Sequence, residues 1–349
     1  MIDAERILVR APNWAGDLVM ATPGFRALRA AWPGAELCLH VREGLAPLLA
    51  GAPWFDAVLP LASHHRGPAA LLAEAWRLRR RRFEIGLCLP DSFSSALLMR
   101  CAGVRTVVGY RTQGRGPLLQ LAVEPPRGLV ARERHVLGLT GALGCPPRGV
   151  RLELYTTARE EEAAERALAG RGVRAGDALA VLAPGASYGA AKLWPAEAFA
   201  RVGDALAAEG VHVALVGAPD EAAVARRVTA AMRAPAADLV GCLDLGAVKA
   251  AIRRARVVVC NDAGARHIAV AFGVPAVVLF GPTSLEKTNL NLERVEALWE
   301  DVACRPCYQR ECPIDHRCMT RLAPERVIEA ALRALPARSD TGAAKGSAA

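Results

Sequence analysis

The feature that most constrains this chain is its rhythm. Short apolar runs of strand length alternate with stretches of helical period from residue 7 almost to the end. Residues 7–9 read as a strand, residues 11–17 as a turn-rich loop, and residues 18–31 as a helix. Further strands are predicted at 37–41, 85–89 and 106–109, with helical stretches between them. A strand that feeds a helix that feeds a strand requires a parallel sheet covered on both faces.

The rhythm pauses between residues 146 and 176, where Pro146-Pro147, a strand-like run at 152–154 and a charged helix at 157–169 follow one another. It then restarts. Strands are predicted at 179–182, 211–216, 257–260 and 276–280. Helices are predicted at 196–208, 220–232, 245–254, 264–271 and 324–335. The expected architecture is α/β, with two doubly wound Rossmann-like domains at 1–160 and 177–322. A C-terminal helix at 323–336 and a disordered tail at 337–349 complete it. Ligands of such sheets bind beyond the carboxyl ends of the strands, so the strand-to-helix loops are the places to look for chemistry.

Composition removes several classes. A hydrophobic fraction of 52% with 23% charged residues excludes a disordered chain. Ten cysteines in 349 residues are too sparse for a disulfide framework. The start, Met-Ile-Asp-Ala-Glu-Arg, leads into no signal-peptide pattern, and no run approaches about 20 unbroken apolar residues. The expectation is a soluble, cytoplasmic protein with reduced thiols. The net charge of +9 sits in the first half, where residues 1–150 hold 19 Arg, no Lys and 11 acidic residues. That bias is either compositional or meets phosphate groups, nucleic acid or a membrane surface. Aromatics at 5% offer few stacking platforms, which argues against a nucleic-acid partner.

Four loops stand out. Asn13-Trp14-Ala15-Gly16-Asp17 puts a carboxylate at the mouth of the first strand, where Asp17 is either a helix cap or a general base. The loop from Ala183 to Pro195 carries Gly185, Ser187 and Gly189 ahead of Lys192, the first lysine of the chain. Its small residues let backbone N–H groups approach an anion, with Lys192 as a point charge. It lacks the Gly-Lys-Ser/Thr of a Walker loop, and Lys192 has a bland alternative as a solvated surface lysine. From Cys260 to His267, a helix start gathers Asp262, the N–H groups around Gly264, and His267, a setting for a pyrophosphate. The turn Phe280-Gly281-Pro282-Thr283-Ser284 offers hydroxyls to phosphate or sugar. Glu221 is placed either to accept from ribose hydroxyls or to serve as a first-turn helix acid.

In order, these loops resemble glycosyltransferase family 9, the ADP-heptose:lipopolysaccharide heptosyltransferases, and among them the type II enzymes. The resemblance runs from Ile7 to about Leu335. It rests on Asn13 to Met20, on Pro90-Asp91-Ser92-Phe93-Ser94-Ser95-Ala96, and on Pro184-Gly185-Ala186 through Lys192 to Trp194-Pro195. Asn261-Asp262 with Gly264 and His267, Gly281-Pro282-Thr283-Ser284, and the cysteine-rich residues 304–318 complete it.

The resemblance implies a GT-B fold, two Rossmann-like domains facing each other across a cleft. The first domain would take the acceptor through Asn13, Trp14, Ser92 and Ser94, with Asp17 as catalytic base. The second would hold the donor through Gly185, Ser187, Lys192, Asp262, Gly264, His267 and Thr283, with Glu221 on the adenosine ribose and Lys192 assisting catalysis at the phosphates. The implied reaction is an inverting transfer of heptose from ADP-heptose to a heptose of the lipopolysaccharide inner core, needing no cofactor. Its acceptor is presented at the inner membrane, so peripheral contact with the cytoplasmic face is implied as well. The chain departs from the family at Ala263, where Ser or Thr is usual. A type I enzyme, a member using another nucleotide sugar, and a nucleotide-sugar epimerase of the same two-domain fold are the alternatives. The run Arg77, Arg79, Arg80, Arg81 and Arg82 is either a solvated helix face or part of the acceptor contact.

Cys304, Cys307, Cys312 and Cys318, with His316 among them, form one more candidate. The Cys-x-x-Cys start suits structural zinc, whereas the later gaps of four and five residues make the site irregular. A reduced packed loop, or a disulfide formed on oxidation, is the alternative.

Overall fold

The alternation becomes two six-stranded sheets in which every pairing is parallel. The structure is a computed structural model that describes residues 3–61 and 67–335. The expected tail at 337–349 and the last residue of the expected final helix lie outside the described residues. The chain divides into two units. The first comprises Met1–Ala158, Asp244–Gly246 and Leu285–Asn291, and the second Arg159–Leu243, Ala247–Ser284 and Leu292–Ala349.

The first sheet is built from β1 (Arg6–Arg10), β2 (Glu36–Arg42), β3 (Ala57–Leu61), β4 (Ile85–Cys88), β5 (Thr106–Tyr110) and β6 (Leu121–Val123). Its spatial order is β3-β2-β1-β4-β5-β6. Helices α1 (Ala15–Met20), α2 (Thr22–Ala31), α3 (Pro68–Arg79), α4 (Phe93–Cys101) and α5 (Arg132–Ala142) belong to this unit. Ile7, Leu8 and Val9 of β1 are fully buried, as a continuous apolar run must be when both faces of a parallel sheet are covered. Helices α2 and α5 pack closely: a Cβ on Gly24 would stand 2.4 Å from a methyl of Val136.

The second sheet contains β7 (Leu179–Ala183), β8 (His212–Leu215), β9 (Ala236–Asp238), β10 (Val257–Asn261), β11 (Ala276–Phe280) and β12 (Val295–Trp299). Its order, β12-β11-β10-β7-β8-β9, repeats that of the first sheet. The helices are α6 (Ala158–Ala169), α7 (Ala196–Ala208), α8 (Ala222–Ala231), α9 (Leu245–Arg254), α10 (Gly264–Ala271), α11 (Arg317–Thr320) and α12 (Pro324–Ala334). Phe199, Val202 and Leu206 of α7 share a core with Val327, Ala330 and Ala331 of α12 and with Leu182, Val259 and Leu279 of the sheet. Trp194 meets Phe199 edge-on at 5.1 Å, and its indole N–H donates to the Leu322 carbonyl at 3.1 Å.

The structure departs from the sequence expectations in three places. The single helix expected at 18–31 is two, broken at Ala21, because Pro23 lacks an N–H and sits in a new first turn. Residues 152–154 join neither sheet; the Glu153 N–H is satisfied by Thr22 Oγ1 at 3.2 Å instead of a ladder. Strands β3, β6, β9 and β12, none of them anticipated, are the four edges of the two sheets. Among the described residues, no helix is long and apolar enough to cross a membrane.

In both sheets the order reverses between the first and fourth strands in sequence. That places β1 beside β4 and β7 beside β10, and the loops leaving these four strands flank the crevices where such sheets bind ligands.

Candidate active site

In the second unit the loops after β7 and β10 are tied together before any ligand is considered. Asn261, fully buried at the end of β10, donates from Nδ2 to the Pro184 carbonyl at 2.7 Å and accepts from the Trp194 N–H at 3.3 Å. A buried amide with both ends committed fixes the relative height of the two loops. Lys192 then reaches across. It ends a short 3₁₀ turn, is nearly buried, and donates from Nζ to Asp262 Oδ2 at 2.6 Å and to the Asp262 carbonyl at 2.7 Å. The solvated-lysine alternative does not hold for it.

Asp262 also accepts from Thr283 Oγ1 at 2.8 Å and lies 3.7 Å from buried Arg266, one helical turn on. Burial pushes the Asp262 carboxyl upward. The charge and hydrogen bond of Lys192, the Thr283 hydroxyl and the Arg266 charge outweigh that, so its pKa lies below the usual carboxylate range. His267, also buried, is held down to about 3, by burial first and by the Arg266 charge second. Its imidazole is therefore neutral at physiological pH. Gly264 opens α10 behind an extended Ala263.

Glu221 closes the short turn after β8 and approaches the β7 loop. A Cβ on Gly185 would stand 2.1 Å from its carboxyl carbon, and one on Gly217 would stand 2.6 Å from a carboxylate oxygen. Only glycine at both positions leaves room for the acid. Burial raises the Glu221 pKa, opposed by the Ala218 N–H that donates to it at 2.9 Å. Ser187 is exposed on the same loop.

The cysteine-rich segment has a structural task. His316 Nε2 bonds the Ala191 carbonyl at 2.7 Å, next to Lys192, and the Ala191 N–H donates to the Arg310 carbonyl at 2.9 Å. Tyr188 donates to the Tyr308 carbonyl at 2.6 Å, while Arg305 donates to the carbonyls of Gly281 and Thr283 at 3.1 and 3.3 Å. The segment thus braces both the Lys192 loop and the Thr283 turn. Cys304, Cys307, Cys312 and Cys318 are free thiols, and among the described residues no three Cys, His, Asp or Glu side chains group as a metal ion requires. The zinc expectation gains no support.

In the first unit Asp17 lies in the first turn of α1 and is not its cap, since Trp14 holds that position. Its carboxylate faces Arg132 of α5, with Oδ1 3.3 Å from Nε and Oδ2 3.5 Å from Nη2. Asn13 accepts from Arg10 at 2.6 Å and Trp14 is 47% exposed. Ser92 spends its oxygen capping α4 through the Ser95 N–H at 3.3 Å, and Ser94 is exposed beside it. Ser94 also lines a recess of about 210 Å³ with Arg10, Glu74 and Ser95.

Sequence reasoning did not single out Arg132 and His135 on α5, Arg115, or Asp91 as a site residue. Nor did it find the brace Arg305, and it named His316 only as a companion of the cysteines. A signal existed for Asp91: it follows its strand as Asp17 follows β1.

The chain matches the family model of glycosyltransferase family 9 (heptosyltransferase) over residues 72–317. It is 30% identical over 336 residues to lipooligosaccharide heptosyltransferase 2 of Campylobacter jejuni (serotype O:6, strain 81116), covering 93% of this chain and 97% of that protein. It is 28% identical over 308 residues to lipopolysaccharide heptosyltransferase 2 of Escherichia coli K12, covering 81% and 84%. The solved structure of E. coli ADP-heptose lps heptosyltransferase II superposes with a TM-score of 0.81 at 24% identity, over 95% of this chain and 98% of that one. A protein with these two sheets, this loop chemistry and these relatives belongs to glycosyltransferase family 9, the heptosyltransferases.

Proposed function

We propose that this glycosyltransferase moves a heptose from ADP-heptose onto a heptose of the lipopolysaccharide inner core, inverting the anomeric configuration. The observation that carries this reading is the buried Lys192–Asp262–Thr283 group at the order reversal of the second sheet, with Glu221 pressed against Gly185 on the same loop. A nucleoside diphosphate sugar needs a cation at its diphosphate and an acceptor at its ribose, and two loops in contact supply them, Lys192 after β7 and Glu221 after β8.

Asp17 takes the proton of the attacking acceptor hydroxyl as that oxygen bonds the anomeric carbon and the bond to the diphosphate breaks. A positioned base of this kind contributes about 10²–10⁴ in rate. Lys192 and the N–H groups at the start of α10 stabilise the charge that grows on departing ADP, an effect of about 3 kcal/mol for each well-placed donor. Neutral His267 offers the sugar a hydrogen bond without adding charge. Ala263 removes the usual hydroxyl but keeps its backbone N–H for the phosphate. Asn13, Trp14 and Ser94 meet the acceptor, and Ser92 acts there by holding the start of α4. No cofactor enters the scheme.

Contact with the cytoplasmic face of the inner membrane is assigned to α3. Leu72 and Trp76 are 58% and 61% exposed on it, and Arg80 stacks over the Trp76 ring at 3.9 Å. That combination suits an anionic lipid surface.

The test is ADP release from ADP-heptose with no acceptor, with heptose-free core, and with core carrying one heptose. Release that depends on the heptosylated core supports the reading. Release only with heptose-free core assigns the chain to the type I reaction, and silence with both removes ADP-heptose as the donor.

A further inference from the structure

The first sheet carries a second carboxylate that the transfer scheme leaves unused. Asp91 follows β4 as Asp17 follows β1, and the two strands are neighbours at the order reversal. The segments that carry the two carboxylates therefore leave the sheet at the same crevice.

Asp91 is held by Arg115 and faced by His135. Arg115 is fully buried and donates from Nε to the Tyr110 carbonyl at 2.8 Å, from Nη1 to the Pro90 carbonyl, and from Nη2 to Asp91 Oδ1 at 3.1 Å. His135 of α5 places Nε2 3.9 Å from Asp91 Oδ2. That imidazole nitrogen is buried and has no hydrogen-bond partner among the described residues. The Asp91 side chain is 29% exposed, and no hydrogen bond reaches its Oδ2 among the described residues.

Helix α5 cannot drift. The His135 and Tyr110 rings lie 4.1 Å apart, and the Tyr110 hydroxyl donates to the His135 carbonyl at 2.7 Å. A Cβ on Gly138 would stand 2.4 Å from that hydroxyl, so the close approach depends on glycine. One turn before His135, Arg132 holds Asp17. A single helix thus holds Asp17 through Arg132 and lies against Asp91 through His135.

We propose that Asp91 is an acceptor-binding residue whose carboxylate takes hydrogen bonds from hydroxyls of a neutral sugar ring beside Asp17, with His135 and Arg115 as positioning residues. The charge balance selects that ligand class. Arg115 faces Asp91 and Arg132 faces Asp17, so the guanidinium beside each carboxylate is already paired with it. What remains is carboxylate oxygen, which accepts from donors such as paired hydroxyls. His135 adds no positive charge, because burial first and the Arg132 charge second hold its pKa down to about 4. The inference rests on the heptose-acceptor reading and narrows it.

The experiment is acceptor and donor kinetics, by ADP release, on the full chain and on Asp91→Asn, His135→Gln and His135→Ala. Asp91→Asn keeps the side-chain size and an oxygen for Arg115. It is expected to raise the acceptor KM about tenfold or more, with donor KM within twofold of the parent. His135→Ala is expected to raise acceptor KM severalfold, with His135→Gln restoring most of the loss; a merely structural role would lower both substrates' kinetics together. An acceptor KM within twofold of the parent in Asp91→Asn overturns the proposal. Calorimetry with a heptose-containing inner-core oligosaccharide separates it from the activity reading. If the parent releases no ADP yet binds that oligosaccharide, weaker binding by Asp91→Asn upholds the subsite and equal binding overturns it. If the parent does neither, both readings fall.

Discussion

Individual atoms set the tolerances of this site. Glu221 reaches the β7 loop only because residue 185 has no side chain, and a methyl there would occupy the space of the carboxylate itself. Gly185→Ala is therefore expected to raise the donor KM at least tenfold by displacing Glu221, with acceptor KM unchanged; a normal donor KM would mean that the acid does not contact the nucleotide. Asp17 makes the complementary case, since Asn preserves its shape and its place beside Arg132 but cannot take a proton. Asp17→Asn is expected to lower turnover about 10²–10⁴-fold, while calorimetry shows ADP-heptose binding nearly intact. Full activity in that variant would move the base elsewhere. Both residues were legible in the sequence as polar or small groups just past predicted strands. Their partners were not, because Arg132 and the Gly185–Glu221 contact come from segments far apart in the chain.

At the scale of elements, the expectations succeeded where burial is strongest. Each of the eight central strands was anticipated, because a strand covered on both faces must be continuously apolar. The four edge strands were not: β3, β6, β9 and β12 are only partly buried, so their hydrophobic signal is diluted. The cysteine-rich segment was left open between a metal site and a packed loop. Its contacts brace the neighbouring loops through His316 and Arg305 and through backbone carbonyls that no motif displays. His316→Ala leaves the Ala191 carbonyl without that bond, a loss of about 1–3 kcal/mol for a buried acceptor. The expected result is a severalfold higher donor KM through a loosened Lys192 loop. Acceptor KM should hold steady, and a rise in both would point to general unfolding.

For the molecule as a whole, the buried histidines make stability depend on pH in a definite direction. His135, in the first unit, is held to about 4 and His267, in the second, to about 3, each against an ordinary 6.5. Between 6.5 and those values the unfolded chain binds protons that the folded chain refuses, so stability falls as pH drops through that window and is flat above it for these groups. Glu74 acts later. His40 and Arg77 overcome its burial and hold it to about 2 against 4.5, so its contribution is lost only as pH falls from 4.5 toward 2. The melting temperature is expected to decline from pH 7 to pH 5, and His135→Gln with His267→Gln to flatten that decline. An unchanged slope in the double variant would place the titration elsewhere.

The sequence by itself determined the alternation of strand and helix, the repeat of one winding in two halves, and the chemistry at the strand ends. These are local properties, written in apolar period and in the residues that follow each strand. Only the tertiary structure decided which loops meet. In each sheet the fourth strand pairs with the first across two intervening strands, which brings Asp262 to Lys192 and makes neighbours of the strands that Asp17 and Asp91 follow. Such a pairing is closed by burial spread over the whole sheet, and no short stretch of sequence contains it.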